Sequence, residues 1–163
     1  MDIKKVYEYA LQREYEGKRF FIEYASRLSH ASAVGVFNRL AQEEQKHIEF
    51  IQRQIDLLME NKPSDLVQAN VLEQSEFFSI RASNEFIDQT VSEAMVPDLP
   101  ILRMAYLIER DFAEFYENAA KQAEGIARKA LETLAYWERR HEHLFKELHD
   151  KAYNEYSKMP WGG

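Results

Sequence analysis

Four stretches of this chain place core-type residues in alternating steps of four and three, the spacing of helices that face other helices, and each stripe is broken near its middle by a carboxylate. The first stripe runs Ile3, Tyr7, Ala10, Glu14, Gly17, Phe21, Tyr24, Leu28, and the second Ala33, Phe37, Leu40, Glu44, His47, Ile51, Gln54, Leu58. The third runs Leu102, Ala105, Glu109, Phe112, Tyr116, Ala119, Ala123, and the fourth Ala127, Leu131, Leu134, Glu138, His141, Phe145, Leu148, Ala152. A buried, unpaired carboxylate costs several kcal/mol even after relaxation, and no Lys or Arg shares these stripes. A fold that buries them therefore lacks positive charge. Two divalent cations would set +4 against the −4 of four carboxylates, and two imidazoles would complete their shells without adding charge.

Local signals favour helix nearly throughout. Gly and Pro number only five and four, good helix formers are abundant, and the alternation of β-branched residues that marks strands is missing. Breaks fall at Ser29–Ser32, at Pro63-Ser64-Asp65, at Pro97–Pro100, and at Gly125, which reads as a C-terminal stop. The fold class predicted is all-α, with four long helices over about residues 3–28, 33–60, 100–124 and 127–155. One domain spans 1–163: a helical hairpin at 3–60, a crossover at 61–99, a second hairpin at 100–155 and an aromatic tail at 156–163. A connection of that length without secondary structure is uncommon, so the stretch from Asn70 to Met95 is expected to carry helix of its own.

Composition closes off several chemistries. There is no cysteine, which removes thiol nucleophiles, disulfides, thiolate zinc sites and cysteine-bound iron centres together. Any metal must sit on nitrogen and oxygen. Twenty-eight acids against 21 Lys plus Arg give a net charge of −7 with the basic residues scattered, which argues against nucleic acid as a partner. The first 17 residues hold no apolar signal core and nowhere is there an apolar run of about 18 residues, so no membrane association and a cytoplasmic location are expected.

Spacing turns the carboxylates into a candidate site. Glu44 and His47, like Glu138 and His141, are three residues apart, hence about 60° apart around a helix and about 4.5 Å along it, so each pair can reach one interior point. Segments 10–25 (ALQREYEGKRFFIEYA) and 105–120 (AYLIERDFAEFYENAA) share Ala, then Glu four residues on, then aromatics, then Ala, at an offset of 95 residues. The Glu-x-x-His segments repeat at 94. The chain reads as two related hairpins, each giving Glu from its first helix and Glu-x-x-His from its second.

This pattern resembles the ferritin-like di-iron carboxylate proteins, and the "EYEGKRFF" style of the first helix looks most like the rubrerythrin group. The resemblance implies a ferritin-like four-helix bundle with a long, partly helical crossover between helices two and three, which would let those two run parallel. It implies Glu44 and Glu138 as bridging ligands, Glu14 and Glu109 as terminal carboxylates, and His47 and His141 as nitrogen ligands. The implied cofactor is two Fe ions, with Mn or mixed filling left open, and the partners are H2O2 or O2 and an external electron donor such as a rubredoxin or a reductase. A homodimer is the family's default. Rubrerythrins usually add a carboxylate on the third helix and a Tyr past the first-helix Glu; this chain has Phe112 one turn beyond Glu109 and Phe21 after Glu14, and it lacks a rubredoxin-like cysteine module.

The expected chemistry is oxidation of a di-Fe(II) site by H2O2 or O2 followed by external re-reduction. Ferroxidation with iron handling, and a metal-free helical interaction module, stand as alternatives. Tyr116 and Tyr106 are candidates for a hydroxyl beside the metals. His30 is expected at an interhelix break, His143 on the surface, His149 too far along its helix to join the site, and Glu16, Glu43 and Glu49 on a solvated face.

Overall fold

The computed structural model describes residues 1–29, 31–67, 69 and 96–158. Four helices make up almost all of them: α1 (Ile3–Ala25), α2 (Ala31–Met59), α3 (Asp98–Gln122) and α4 (Gly125–Lys158). There is no strand among the described residues, so the chain is all-α as expected. The crossover segment 70–95, His30 and the end of the tail lie outside the described residues.

Helix ends follow local chemistry. Asp2 caps α1 by accepting from the Lys5 backbone N–H at 3.3 Å. α1 stops at Ala25, short of the expected residue 28, where the Ser26 hydroxyl donates to the Glu23 carbonyl at 2.7 Å. Pro97 is the N-cap of α3 and Pro100 lies inside its first turn, where the missing N–H has no intrahelical partner to lose. Gly125 opens α4 instead of closing α3: its φ of +57° suits a residue without a side chain, and α3 is ended by the extended backbone of Ala123. α4 continues to Lys158, taking in residues 156–158 assigned above to the tail.

The helices bury two apolar layers with a polar layer between them. One contains Tyr7 and Ala10 of α1, Phe50 and Ile51 of α2, Phe112 and Tyr116 of α3, and Leu131 and Leu134 of α4. The other contains Phe21 of α1, Phe37 and Leu40 of α2, Leu102 and Ala105 of α3, and Phe145 and Leu148 of α4. Its centre is a knot of rings: Phe21 stacks on Phe145 at 5.5 Å, and Phe37 meets both edge-on at 5.4 Å. Passing from the first layer to the second means climbing α1 and α4 but descending α2 and α3. Helices α2 and α3 therefore run in the same direction, which requires a connection long enough to return along their length.

Two polar contacts hold the connections. Gln54, the one uncharged polar side chain on the second stripe, is buried and donates to the Asp65 carbonyl at 2.9 Å, pinning the chain as it leaves α2. Asp98 in the first turn of α3 is fully buried and accepts from the Ser29 N–H at 3.0 Å and the Ser29 hydroxyl at 2.5 Å, tying the α1–α2 turn to α3. Hydrogen bonds to a buried charged group contribute about 1.5–3 kcal/mol. Asp98→Ala is expected to lower unfolding free energy by about 2 kcal/mol, read as a shift in urea midpoint at unchanged slope. A midpoint that does not move would show that the Ser29–Asp98 tie is dispensable.

Candidate metal centre

Every one of the six residues picked out by the stripes lies in the polar layer. Glu14, Glu44, Glu109 and Glu138 are fully buried, and His47 and His141 nearly so. Each helix brings its share to the same level because on all four the intrusion falls between the residues it gives to one apolar layer and those it gives to the other. Two overlapping groups of ligand atoms result, Glu14–Glu44–His47–Glu138 and Glu44–Glu109–Glu138–His141, with the atoms of each group within 4.8 Å of one another.

The oxygens divide between the groups in a regular way. His47 Nδ1 faces Glu138 Oε1 at 2.8 Å, Glu14 Oε2 at 3.3 Å and Glu44 Oε2 at 3.6 Å. His141 Nδ1 faces Glu138 Oε2 at 3.2 Å, Glu44 Oε1 at 3.4 Å and Glu109 Oε2 at 3.4 Å. Glu44 and Glu138 thus give one oxygen to each half, whereas Glu14 and Glu109 each serve one half. The two imidazoles lie nearly parallel with centroids 5.4 Å apart.

One ring N–H cannot satisfy three carboxylates. Apart from the imidazole contacts just given, both oxygens of Glu44, both of Glu109 and Oε1 of Glu138 are buried with no hydrogen-bond partner among the described residues. Buried polar atoms in native folds are almost always paired, so five adjacent exceptions mark a place shaped for something the polypeptide does not supply. A donor set of carboxylate oxygens with imidazole nitrogen is what Fe and Mn take. The residues fit a pair of such ions.

Without ions, protons must do the neutralising. Burial, then the charges of Glu138 and Glu44, holds the Glu14 carboxyl well above the ordinary carboxylate range; burial, then Glu44 and Glu138, does the same to Glu109. Burial also pushes Glu44 and Glu138 up, but the two histidine rings outweigh it and leave both below that range. Burial disfavours the imidazolium form of His47 and His141, yet the surrounding carboxylates more than offset it and raise both rings well above the ordinary histidine value. The raised imidazoles and the raised Glu14 and Glu109 carboxyls all draw protons into the cluster, which offsets its negative charge.

The surroundings are partly as expected. The Tyr116 hydroxyl donates to Glu14 Oε1, so Tyr116 lies at the site. Tyr106 does not: it packs edge-on against His149 at 5.5 Å in the outer part of the second layer. His143 is exposed, and His149 pairs with Asp150 at 3.0 Å, away from the cluster. Glu16 and Glu49 are exposed as expected, but Glu43 is only 4 % exposed and meets Lys46 at 2.8 Å and Arg39 at 3.4 Å. Trp137, which the stripes leave out, stacks on His47 at 5.0 Å and 12°. Its position beside Glu138 was the available signal, since an aromatic next to a seam residue can lie over the neighbouring helix. Comparison with protein-family models, curated proteins and solved structures finds no match to this chain.

Opposite pH dependences follow for the two forms. His47 and His141 fold with raised pKa values, so the stability they contribute is complete below the ordinary 6.5 and lost as pH rises through the folded values. Glu14 and Glu109, also raised, act in the same direction from 4.5 upward. The lowered Glu44 and Glu138 lose their contribution only as pH falls below 4.5. Metal-free protein should therefore lose stability as pH rises above 6.5, while stabilisation by Mn(II) grows in the same direction because ligation displaces protons from the imidazoles and from the raised carboxyls. Urea titrations in that direction, with and without Mn(II), measure both slopes; parallel slopes would contradict the protonated cluster.

Proposed function

We propose that this chain is a ferritin-like di-iron carboxylate protein of the rubrerythrin-like kind, its four helices forming one bundle that holds two iron ions for the reduction of H2O2 or O2 with electrons from an external donor. The observation that carries the reading is the division of oxygens: Glu44 and Glu138 each present one to either half of the cluster. Carboxylates so placed would each hold both ions. Glu14 with His47, and Glu109 with His141, would supply the remaining ligands of the two ions.

The remaining residues suit redox work in a dry interior. Apolar layers above and below the cluster exclude bulk water, which strengthens the field of the carboxylates on whatever they hold. Unpartnered oxygens on Glu44 and Glu109 leave these side chains free to change the number of bonds they make. Burial, then the Glu14 charge, raises the Tyr116 hydroxyl well above its ordinary value, so it keeps its proton and holds it at Glu14 Oε1. The absence of cysteine means that electrons must come from outside these 163 residues.

Loading the protein with Fe(II) under anaerobic conditions and mixing it with H2O2 or with O2, while following the absorption of oxidised iron, tests the assignment. Two irons per chain and oxidation by at least one oxidant are expected. Repeated turnover with a reductant supports reduction of the oxidant as the function, and accumulation of many Fe(III) per assembly points instead to iron handling. Glu44→Gln and Glu138→Gln should each weaken both ions by more than the about 10- to 100-fold typical of a change outside the ligand shell. Failure to bind two irons, or binding without oxidation, sinks the proposal.

A further inference from the structure

The two apolar layers differ in the polar atoms they contain. In the second, none of the residues that make it up carries a buried polar atom without a hydrogen-bond partner among the described residues. At the level of the first there are three such atoms: the Tyr7 hydroxyl, the Trp137 indole N–H and Oε1 of Gln54, which lies between Ile51 and Ile55 on α2. Tyr7 and Gln54 are fully buried and Trp137 nearly so. None of the three belongs to the carboxylate cluster.

Tyr7 and Gln54 stand at one height. Tyr7 is seven residues before Glu14 and Gln54 seven after His47, and α1 and α2 run in opposite directions, so both lie about 10 Å along the helices from the cluster, toward the same end. The chain leaving α2 closes that end. Ser64 is buried, and its side chain lies close enough to the Tyr7 hydroxyl to act on its proton. Burial nevertheless holds that hydroxyl above its ordinary value, so the phenol keeps its proton and is a donor. The Asp65 carbonyl can only accept, which fixes the nitrogen end of the Gln54 amide and leaves Oε1 as an acceptor. Between this level and the cluster, α1 gives the seam only the small Ala10. Trp137 packs on His47 and Phe50, the stretch of α2 that leads from the cluster toward Gln54.

An unsatisfied buried donor or acceptor costs about 1–3 kcal/mol, and buried water that makes two to four hydrogen bonds is the usual remedy. We propose that Tyr7, Gln54 and Ser64 form a binding site for a small molecule that both donates and accepts hydrogen bonds, with water as its resting occupant, and that hydrogen peroxide reaches the centre by exchanging with that water. The peroxide step rests on the function proposed above. Hydrogen peroxide has two O–H donors and two acceptor oxygens, so it replaces water at Tyr7 and Gln54 without leaving either unpaired. O2 has no donor and gains nothing there.

A crystal structure of the metal-free full chain tests the site, and oxidation of the Fe(II)-loaded chain tests its use. The first should show an ordered solvent oxygen within hydrogen-bond distance of both Tyr7 Oη and Gln54 Oε1. In the second, Tyr7→Phe, which deletes one oxygen and keeps the ring, and separately Gln54→Leu, should slow oxidation by H2O2 about 2- to 10-fold more than oxidation by O2, the effect of one ordinary hydrogen bond, with two irons still bound per chain. No solvent oxygen shared by the two side chains would overturn the site. H2O2 and O2 rates that fall together, or that stay unchanged in both variants, would overturn the entry of peroxide by this route. If neither oxidant reacts with the loaded chain, the proposed function falls, and the crystal structure alone decides the site.

Discussion

Burial of four carboxylates at one level is the constraint on which the rest of this structure depends. Moving one carboxylate-sized ion out of water costs several kcal/mol after relaxation, and a whole domain is stable by only about 5–15 kcal/mol. Four uncompensated charges would unfold it. The cluster therefore exists only with its charge cancelled, by protons on Glu14, Glu109 and both imidazoles or by cations among them. The same requirement divides the apolar core into two layers, because each helix must supply enough hydrophobic burial on both sides of its polar turn.

The repeat explains the geometry, and steric limits explain where it breaks. Gly17 and Phe112 are related by the 95-residue offset and meet each other across α1 and α3: a Cβ on Gly17 would lie 2.8 Å from Phe112 Cε2 and 3.6 Å from Glu44 Oε2. A large side chain cannot occupy both positions. One glycine and one phenylalanine fill the space once, with the Phe112 ring covered on its outer side by the Arg13 guanidinium at 4.7 Å. The approximate symmetry of the ligands thus coexists with asymmetry in what surrounds them.

The six clustered residues were legible because helical periodicity is a geometric rule: once Leu40 and Ile51 face inward, Glu44 and His47 must as well. What periodicity does not encode is which helix a side chain meets. Tyr106 and Tyr116 look alike as candidates, but only Tyr116 lies across from Glu14, while Tyr106 belongs with His149. Glu43 sits off the stripe, yet neighbouring Arg39 and Lys46 fold over it, since i,i+3 and i,i+4 cations can cover a flanking acid. Asp98 read as part of a break because its partner, Ser29, is 69 residues away and invisible to any local pattern. Gly125 reads as a stop in the sequence, but a positive φ serves the start of the next helix as well as the end of the last.

Phe112 also bears on the electrostatics of the centre. It occupies a third-helix position, one turn past Glu109, from which a fifth carboxylate could reach the cluster, and its ring is 3 % exposed and packed into the first apolar layer. A fifth carboxylate there would add a negative charge that two divalent ions could not balance, and the metal-free form would need a further proton to stay neutral. With phenylalanine in that place, four carboxylates would be balanced by two divalent ions, and the side chain that faces Gly17 is apolar. The groups with which the cluster can answer a change of charge are then its four carboxylates, its two imidazoles and the hydroxyl that Tyr116 holds against Glu14.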